Sequence, residues 1–260
     1  MSMLRIGVFG DSFADREVNP ALKGIVADES WMAYIESKGH KIATYGLSGS
    51  ASWHAFYNFK KFHEQFDHIV FCWSYPHRMQ TIPFKYATCS TYKEVEQFYT
   101  SGHYKNYDKE EQSEIVQMVL GYQYLCDFNF NMWVQQKMFD EVNDICRRKN
   151  IKLVNLLPFV TRTDQEIDFS SRHGDCLFRL FEVSRKEMEI GNFSDVRSTH
   201  LSKENNEVLG QIILDRFIEG KNILMDLYNQ GDFKFSDLIY ERYSKLGQIW
   251  SQKTGMNHSL

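Results

Sequence analysis

The chain has 260 residues, 43% of them hydrophobic and 25% charged, with 15% aromatics that include 20 Phe and 14 Tyr. A chain of this length buries a sizeable core without disulfide or metal staples, and its composition excludes a disordered, collagen-like or coiled-coil protein. A net charge of −4, from 30 basic and 34 acidic residues, supplies no broad basic field for a phosphate backbone, so nucleic acid is not an expected partner.

Residues 4–9 form an apolar run stopped by Gly10, the pattern of a buried parallel strand. Ser30 before Trp31, Met32, Tyr34 and Ile35 predicts a capped amphipathic helix. Lys41 to Tyr45 reads as a second strand, closed by the loop 46–50. Residues 51–64, with Trp53, Phe56, Tyr57, Phe59 and Phe62, fit a helix with a buried face. His68 to Trp73 is the third strand and Ile151 to Leu157 the fourth, stopped by Pro158. Residues 203–218 close the series as a helix with Val208, Leu209, Ile212, Ile213 and Phe217 on one stripe.

Alternating strands and helices predict an α/β/α three-layer sandwich on a mainly parallel sheet, flavodoxin-like, with its site at the strands' C-terminal ends. The expected division is a domain over 1–220 and a helical extension over 221–260. An insertion at about 76–148 is Tyr-rich in its first half and helical from about 110. It is too long for an ordinary connection, so it is expected to be a lid or an interaction surface. It and the C-terminal helices are the surfaces through which a homo-oligomer would form. The N-terminal apolar run is too short for a secretory signal, and no run reaches the roughly 20 apolar residues of a membrane span. Cys72, Cys89, Cys126, Cys146 and Cys176 are odd in number, with no CxxC pair, and read as free thiols in a reducing compartment. A cytoplasmic location and no membrane partner are the expectations.

Two segments can carry chemistry. Gly10-Asp11-Ser12 follows the first strand directly. A serine on a tight turn there exposes its hydroxyl beside backbone N–H groups, as an activated nucleophile requires. The alternative is an ordinary cap made by Asp11 or Ser12. Asp195-Val196-Arg197-Ser198-Thr199-His200-Leu201-Ser202 precedes the closing helix. His200 there can serve as a general base, with Asp195 near enough to orient it. The alternative is a surface histidine beside a helix capped by Ser202.

Together these segments resemble the SGNH/GDSL hydrolase superfamily. Gly10-Asp11-Ser12-Phe13 is similar to its first block, Gly46-Leu47-Ser48-Gly49 to its second, and His200-Leu201-Ser202 to its fifth. The resemblance covers roughly 1–75 and 150–220. It implies Ser12 as nucleophile, His200 as base, and the N–H groups of Ser12 and Gly46 as oxyanion donors. Two positions depart from the pattern. Arg197 stands where the family places the aspartate, leaving Asp195 as the nearest acid. The third block lacks its asparagine and reads Trp73-Ser74-Tyr75-Pro76-His77-Arg78. Ser74 or Arg78 is then the substitute oxyanion donor, with Asp11, Tyr75, Arg78 and Arg197 facing substrate or oxyanion. The short Asp-x-Arg-x-x-His form is similar to SGNH-like proteins of bacteriophages.

The activity implied is hydrolysis of a small acyl ester, free or on a glycan, through an acyl-enzyme. Transfer to a sugar hydroxyl and a weak or inactive binding relative are the alternatives. No cofactor is expected: the sequence has no complete dinucleotide fingerprint, no P-loop, and no HExxH or paired metal-ligand spacing. Asp164, Glu166 and Asp168 read as a solvated edge, Cys176 as a packing residue, and Arg147-Arg148-Lys149 as a helix C-terminal cluster. Tyr86, Tyr92, Phe98, Tyr99, Tyr104 and Tyr107 are read as packing the insertion onto the sheet, with sugar stacking as the alternative.

Overall fold

The computed structural model describes residues 2–16, 29–48, 50–76, 78, 105, 108–125, 127–159, 167–189, 201–220 and 222–234. The first strand, β1 (Arg5–Gly10), runs into a turn at Asp11 and is followed by α1 (Trp31–Ser37), β2 (Lys41–Gly46), α2 (Ser52–Phe62) and β3 (His68–Cys72). Two helices follow, α3 (Lys109–Leu125) and α4 (Phe128–Lys149), then β4 (Lys152–Leu157) and β5 (Asp175–Phe178). Helices α5 (Leu180–Glu189) and α6 (Lys203–Glu219) lead to β6 (Leu224–Asp226).

The sheet is parallel throughout, in the order β2-β1-β3-β4-β5-β6. This is the doubly wound arrangement expected from the alternating pattern. The chain steps from β1 to β2 on one side, then returns to β3 on the other side of β1. That reversal puts a topological switch point beside the C-terminal end of β1. The four inner strands are almost entirely buried because both faces are covered, and they are mostly apolar, with Asn155 in β4 and Asp175 in β5 as buried polar exceptions; in β1, residues Ile6–Gly10 are all buried. The edge strands β2 and β6 are only half-buried.

Side chains alternate across the sheet into two cores. Ile6, Val8, Val70, Val154, Leu156 and Leu177 point toward α1, α5 and α6, where they meet Met32, Ile35, Val183, Leu209 and Ile213. Phe9, Ile69, Phe71, Leu153, Cys176 and Phe178 point toward α2 and α4, where they meet Phe56, Phe59, Phe139 and Val142. Much of the aromatic content packs this second core: Phe9 stacks on Tyr45 at 5.0 Å and meets Phe59 edge-on at 5.7 Å.

Local signals account for the boundaries. Ser30 caps α1, its Oγ accepting the Ala33 N–H at 3.2 Å, and Gly39 leaves the helix at φ +88°. Asp127 caps α4 through the Phe130 N–H at 3.2 Å; at the other end Arg147, Arg148 and Lys149 face the negative pole of the dipole, followed by Asn150 in the left-handed region.

The sheet has two strands more than the sequence pattern indicated. β5 and β6 are four and three residues long, too short to show a period. β6 also lies in the segment expected to be a helical extension. Its placement is fixed from outside: the Ile223 N–H donates to the buried Asp175 carboxylate at 2.6 Å, and the Leu227 N–H donates to the Phe178 carbonyl at 3.0 Å. Cys72, Cys146 and Cys176 are buried free thiols, while Cys89 and Cys126 lie outside the described residues. Among the described residues no helix is long and apolar enough to cross a membrane.

Candidate active site

Three loops converge where β1, β2 and β3 end. Gly10 and Gly46 are register partners on neighbouring strands, and both permit close backbone approach. A Cβ on Gly10 would sit 2.5 Å from the Cys72 Cβ, and one on Gly46 would sit 2.2 Å from the Ala14 carbonyl atoms. The turn after β1 therefore folds back directly over the end of β2. Thr44 Oγ1 donates to the Ala14 carbonyl, and the Leu47 N–H donates to the Gly10 carbonyl at 3.1 Å. Asp15 fastens the same loops from above, accepting from both the amide and the hydroxyl of Ser48 at 2.9 and 2.6 Å.

Asp11 is fully buried. One carboxylate oxygen, Oδ1, accepts the Phe13 N–H at 3.1 Å; the other accepts from Ser74 Oγ and Arg78 Nη1, each at 3.0 Å. No helix follows Asp11 among the described residues; its carboxylate closes a tight turn over residues 11–14 instead of capping a helix. Ser12 is half-buried, and its hydroxyl and amide make no hydrogen bond among the described residues. It is held through its neighbours, since the Ala14 N–H also donates to the Asp11 carbonyl at 3.0 Å.

The third-block substitutes point inward. Ser74 is buried, with its hydroxyl 2.8 Å from the Ser50 carbonyl as well as 3.0 Å from Asp11. Its single proton is directed at protein acceptors. Arg78 Nη1 lies 3.2 Å from Ser74 Oγ and 3.4 Å from the Ser50 carbonyl. The Gly46 N–H donates to Thr44 Oγ1 at 3.1 Å. Tyr75 is exposed and meets Phe159 edge-on at 5.7 Å; Phe159 in turn contacts Phe13, the residue after Ser12, at 5.9 Å. The Cys72 thiol is 3.8 Å from Asp11; burial, and then the Asp11 charge, push its pKa well above the ordinary range, so it is no nucleophile. Burial likewise pushes Cys176 up to about 12.

Asp195, Arg197 and His200 lie outside the described residues, as do Asp164, Glu166 and the tyrosine-rich run from Tyr86 to Tyr107. Leu201 and Ser202, which follow His200, are described and anchored. Leu201 is buried in the same core as Phe13. Asn206 Nδ2 donates to the Leu201 carbonyl at 3.0 Å, and Asn206 Oδ1 accepts the Trp31 N–H at 3.1 Å. The Trp31 indole then donates to the Phe13 carbonyl at 2.9 Å. The residue after His200 is thereby tied to the residue after Ser12 through two side chains.

Sequence reasoning missed one acid here. Glu187, on α5, is buried against the N-terminus of α6. Its carboxylate accepts the Ser202 N–H at 3.1 Å and Asn205 Nδ2 at 2.7 Å. Burial raises its pKa to about 7, although these donors oppose the shift. The signal was present: Leu180, Val183, Ser184 and Glu187 share one helical stripe, so the acid falls on the inward face. Asp168 proves a local cap, accepting from the Ser170 amide and hydroxyl at 2.9 and 2.8 Å, which hold its carboxyl below the usual range. Among the described residues no group of three or more His, Cys, Asp or Glu could hold a metal ion.

No family model matches the chain, and no curated protein does. Solved structures do. An α/β-hydrolase enzyme from the metagenome of Lake Arreo is similar over 98% of this chain and 97% of its own, at 10% identity and a TM-score of 0.36. A catalytic mutant of an acetylxylan esterase from Geobacillus stearothermophilus matches over 98% and 95%, at 10% identity and a TM-score of 0.33. A GDSL-like lipase from Bacteroides thetaiotaomicron matches over 95% and 86%, at 8% identity and a TM-score of 0.33.

Proposed function

We propose that the chain is a serine ester hydrolase acting on a small acyl ester, free or carried on a glycan. The observation that carries this reading is the state of Ser12. It stands at the switch point of the sheet, on a turn fixed at both neighbours, while its own hydroxyl and amide are uncommitted among the described residues. Ser12 is only half-buried, so it is reachable from outside the turn. The bridge from Phe13 through Trp31 and Asn206 to Leu201 supports His200 as the base.

In this reading Ser12 Oγ attacks the ester carbonyl carbon as His200 takes its proton. The tetrahedral oxyanion forms against the Ser12 N–H, with the Gly46 N–H as second donor once substrate competes with Thr44 Oγ1. Collapse expels the alcohol, which leaves with the proton held by His200. Water, deprotonated by the same imidazole, then attacks the acyl carbonyl; the acid departs and Ser12 is restored. Asp195 is the orienter of His200. Ser74, whose proton faces Asp11 and Ser50, has a positioning role rather than the oxyanion role expected of it.

The same hydrogen bonds favour a second reading. Gly46 and Ser74 both spend their donors on protein acceptors, which is the economy of a relative that kept the fold for binding. Hydrolysis of p-nitrophenyl acetate separates the two. The esterase reading expects turnover that Ser12→Ala abolishes with the fold intact; a folded wild type without turnover leaves the binding reading.

A further inference from the structure

We propose that Arg78 is the positioning residue of the nucleophile turn, acting on Ser12 through the buried carboxylate of Asp11. The proposal rests on the esterase reading of Ser12 and deepens it. Asp11 has no access to water, so its charge requires a partner inside the protein. Arg78 supplies it at 3.0 Å, from a side chain only 12% exposed and lying over the Phe159 ring at 5.8 Å.

What the pair does follows from the division of the carboxylate. The oxygen facing Arg78 and Ser74 is one end of a rigid plane; the other end receives the amide of Phe13 at 3.1 Å. A carboxylate free to rotate would release that amide, and with it the turn that presents Ser12. The Phe13 carbonyl is fixed separately by the Trp31 indole at 2.9 Å, so Asp11 controls the amide side of the same residue. The guanidinium Nη1 also reaches the Ser50 carbonyl at 3.4 Å and Ser74 Oγ at 3.2 Å. One cation therefore gathers the loops that follow β1, β2 and β3. All three contacts come from the one nitrogen Nη1, set at the end of a rigid planar group; a lysine nitrogen, on a stem one bond shorter and without that plane, would not fall at the same point, so lysine is no equivalent here.

The role places Arg78 behind the turn, as a group that acts through Asp11 and Phe13 and does not touch the reacting atoms. A fluorophosphonate probe reads it, because labelling of Ser12 reports the geometry of the nucleophile without an identified substrate. Misplacing a reacting group by about 1 Å costs on the order of 100-fold, so Arg78→Ala should label at Ser12 about 100-fold more slowly. Millimolar guanidinium should restore much of that rate by refilling the space beside Asp11, and the double variant Asp11→Asn/Arg78→Ala should not respond. A bolt that merely stabilised the fold would lower the melting temperature without a guanidinium-dependent rate.

A folded Arg78→Ala that labels at the wild-type rate, or a slow one that guanidinium leaves unchanged, overturns the proposal. If Arg78→Ala does not fold, Arg78→Lys decides, since it keeps the buried charge paired. It is expected to label about tenfold more slowly, between the wild type and the fully misplaced nucleophile, and an unchanged rate overturns the role. A wild type that does not label at Ser12 overturns the esterase reading and the Arg78 role with it. A wild type that labels while the Arg78 variants are indifferent overturns only the role of Arg78.

Discussion

At the scale of single residues, the site is a problem of backbone proximity. Strands β1 and β2 end on paired glycines because the turn over residues 11–14 occupies the space where side chains would go. The glycine at 46 is the tighter of the two, since its missing Cβ would meet the main chain of Ala14 at 2.2 Å, against 2.5 Å from the Gly10 position to the Cys72 Cβ. Gly46→Ala should therefore displace the turn and destabilise the protein by about 1–3 kcal/mol, the usual cost of overpacking. Chemical denaturation measures this; a midpoint equal to wild type would mean that the turn does not lie on β2. Asp11 illustrates a different constraint. Its position after β1 suggested an ordinary helix cap; instead it closes the turn over residues 11–14, and the same carboxylate receives a cation and a hydroxyl from the far side of the site.

At the scale of elements, α5 and α6 meet through a buried acid. Glu187 takes the Ser202 and Asn205 donors at the start of α6, and Asn205 in turn brackets Lys234, its Oδ1 accepting the Lys234 amide and its Nδ2 donating to the Lys234 carbonyl, both at 2.7 Å. The Glu187 pKa in the folded protein, about 7, exceeds its ordinary value of 4.5. The folded state thus binds the proton more tightly than the unfolded chain, and stability falls as pH rises from about 5 through 7. The loss attributable to Glu187 is on the order of 3 kcal/mol. Glu187→Gln, which imitates the protonated acid, should flatten the dependence of melting temperature on pH between 5 and 8. A slope equal to wild type would contradict the assignment of that dependence to Glu187.

Elements were legible from sequence where their pattern was long or cleanly interrupted. β1, β3 and β4 are five- or six-residue, mostly apolar runs with a clear stop, and α6 repeats its apolar stripe from Val208 to Phe217. β5 and β6 were not legible, because strands of four and three residues carry no period, and β6 gains its place from Asp175 rather than from its own side chains. The glycine-flanked Ser12 was visible as a candidate because its chemistry depends on the next few residues. The destination of Arg78 was not: its partners, Asp11 and Ser50, are 67 and 28 positions away. Asn206 and Trp31, 175 positions apart, were hidden for the same reason.

For the whole molecule, topology does most of the positioning. Six parallel strands point their C-terminal ends one way, and the strand order reverses between β1 and β3, which is where sheets of this kind form their binding crevice. Asp11 and Ser12 enter it from β1, the Ser50 carbonyl from beyond β2, and Ser74 with Arg78 from beyond β3. From the opposite half of the sequence, α6 reaches the same turn through Asn206 and Trp31. In the esterase reading this end of the sheet joins Ser12 to His200 as nucleophile and base. The rate of covalent labelling by a fluorophosphonate in His200→Ala, with the adduct located by peptide mass spectrometry, tests that pairing most directly. The prediction is a single adduct on Ser12 in the wild type and labelling slower by about 100- to 10,000-fold in the variant, the range that a general base contributes. An unchanged rate in folded His200→Ala, or an adduct on another residue, would contradict it.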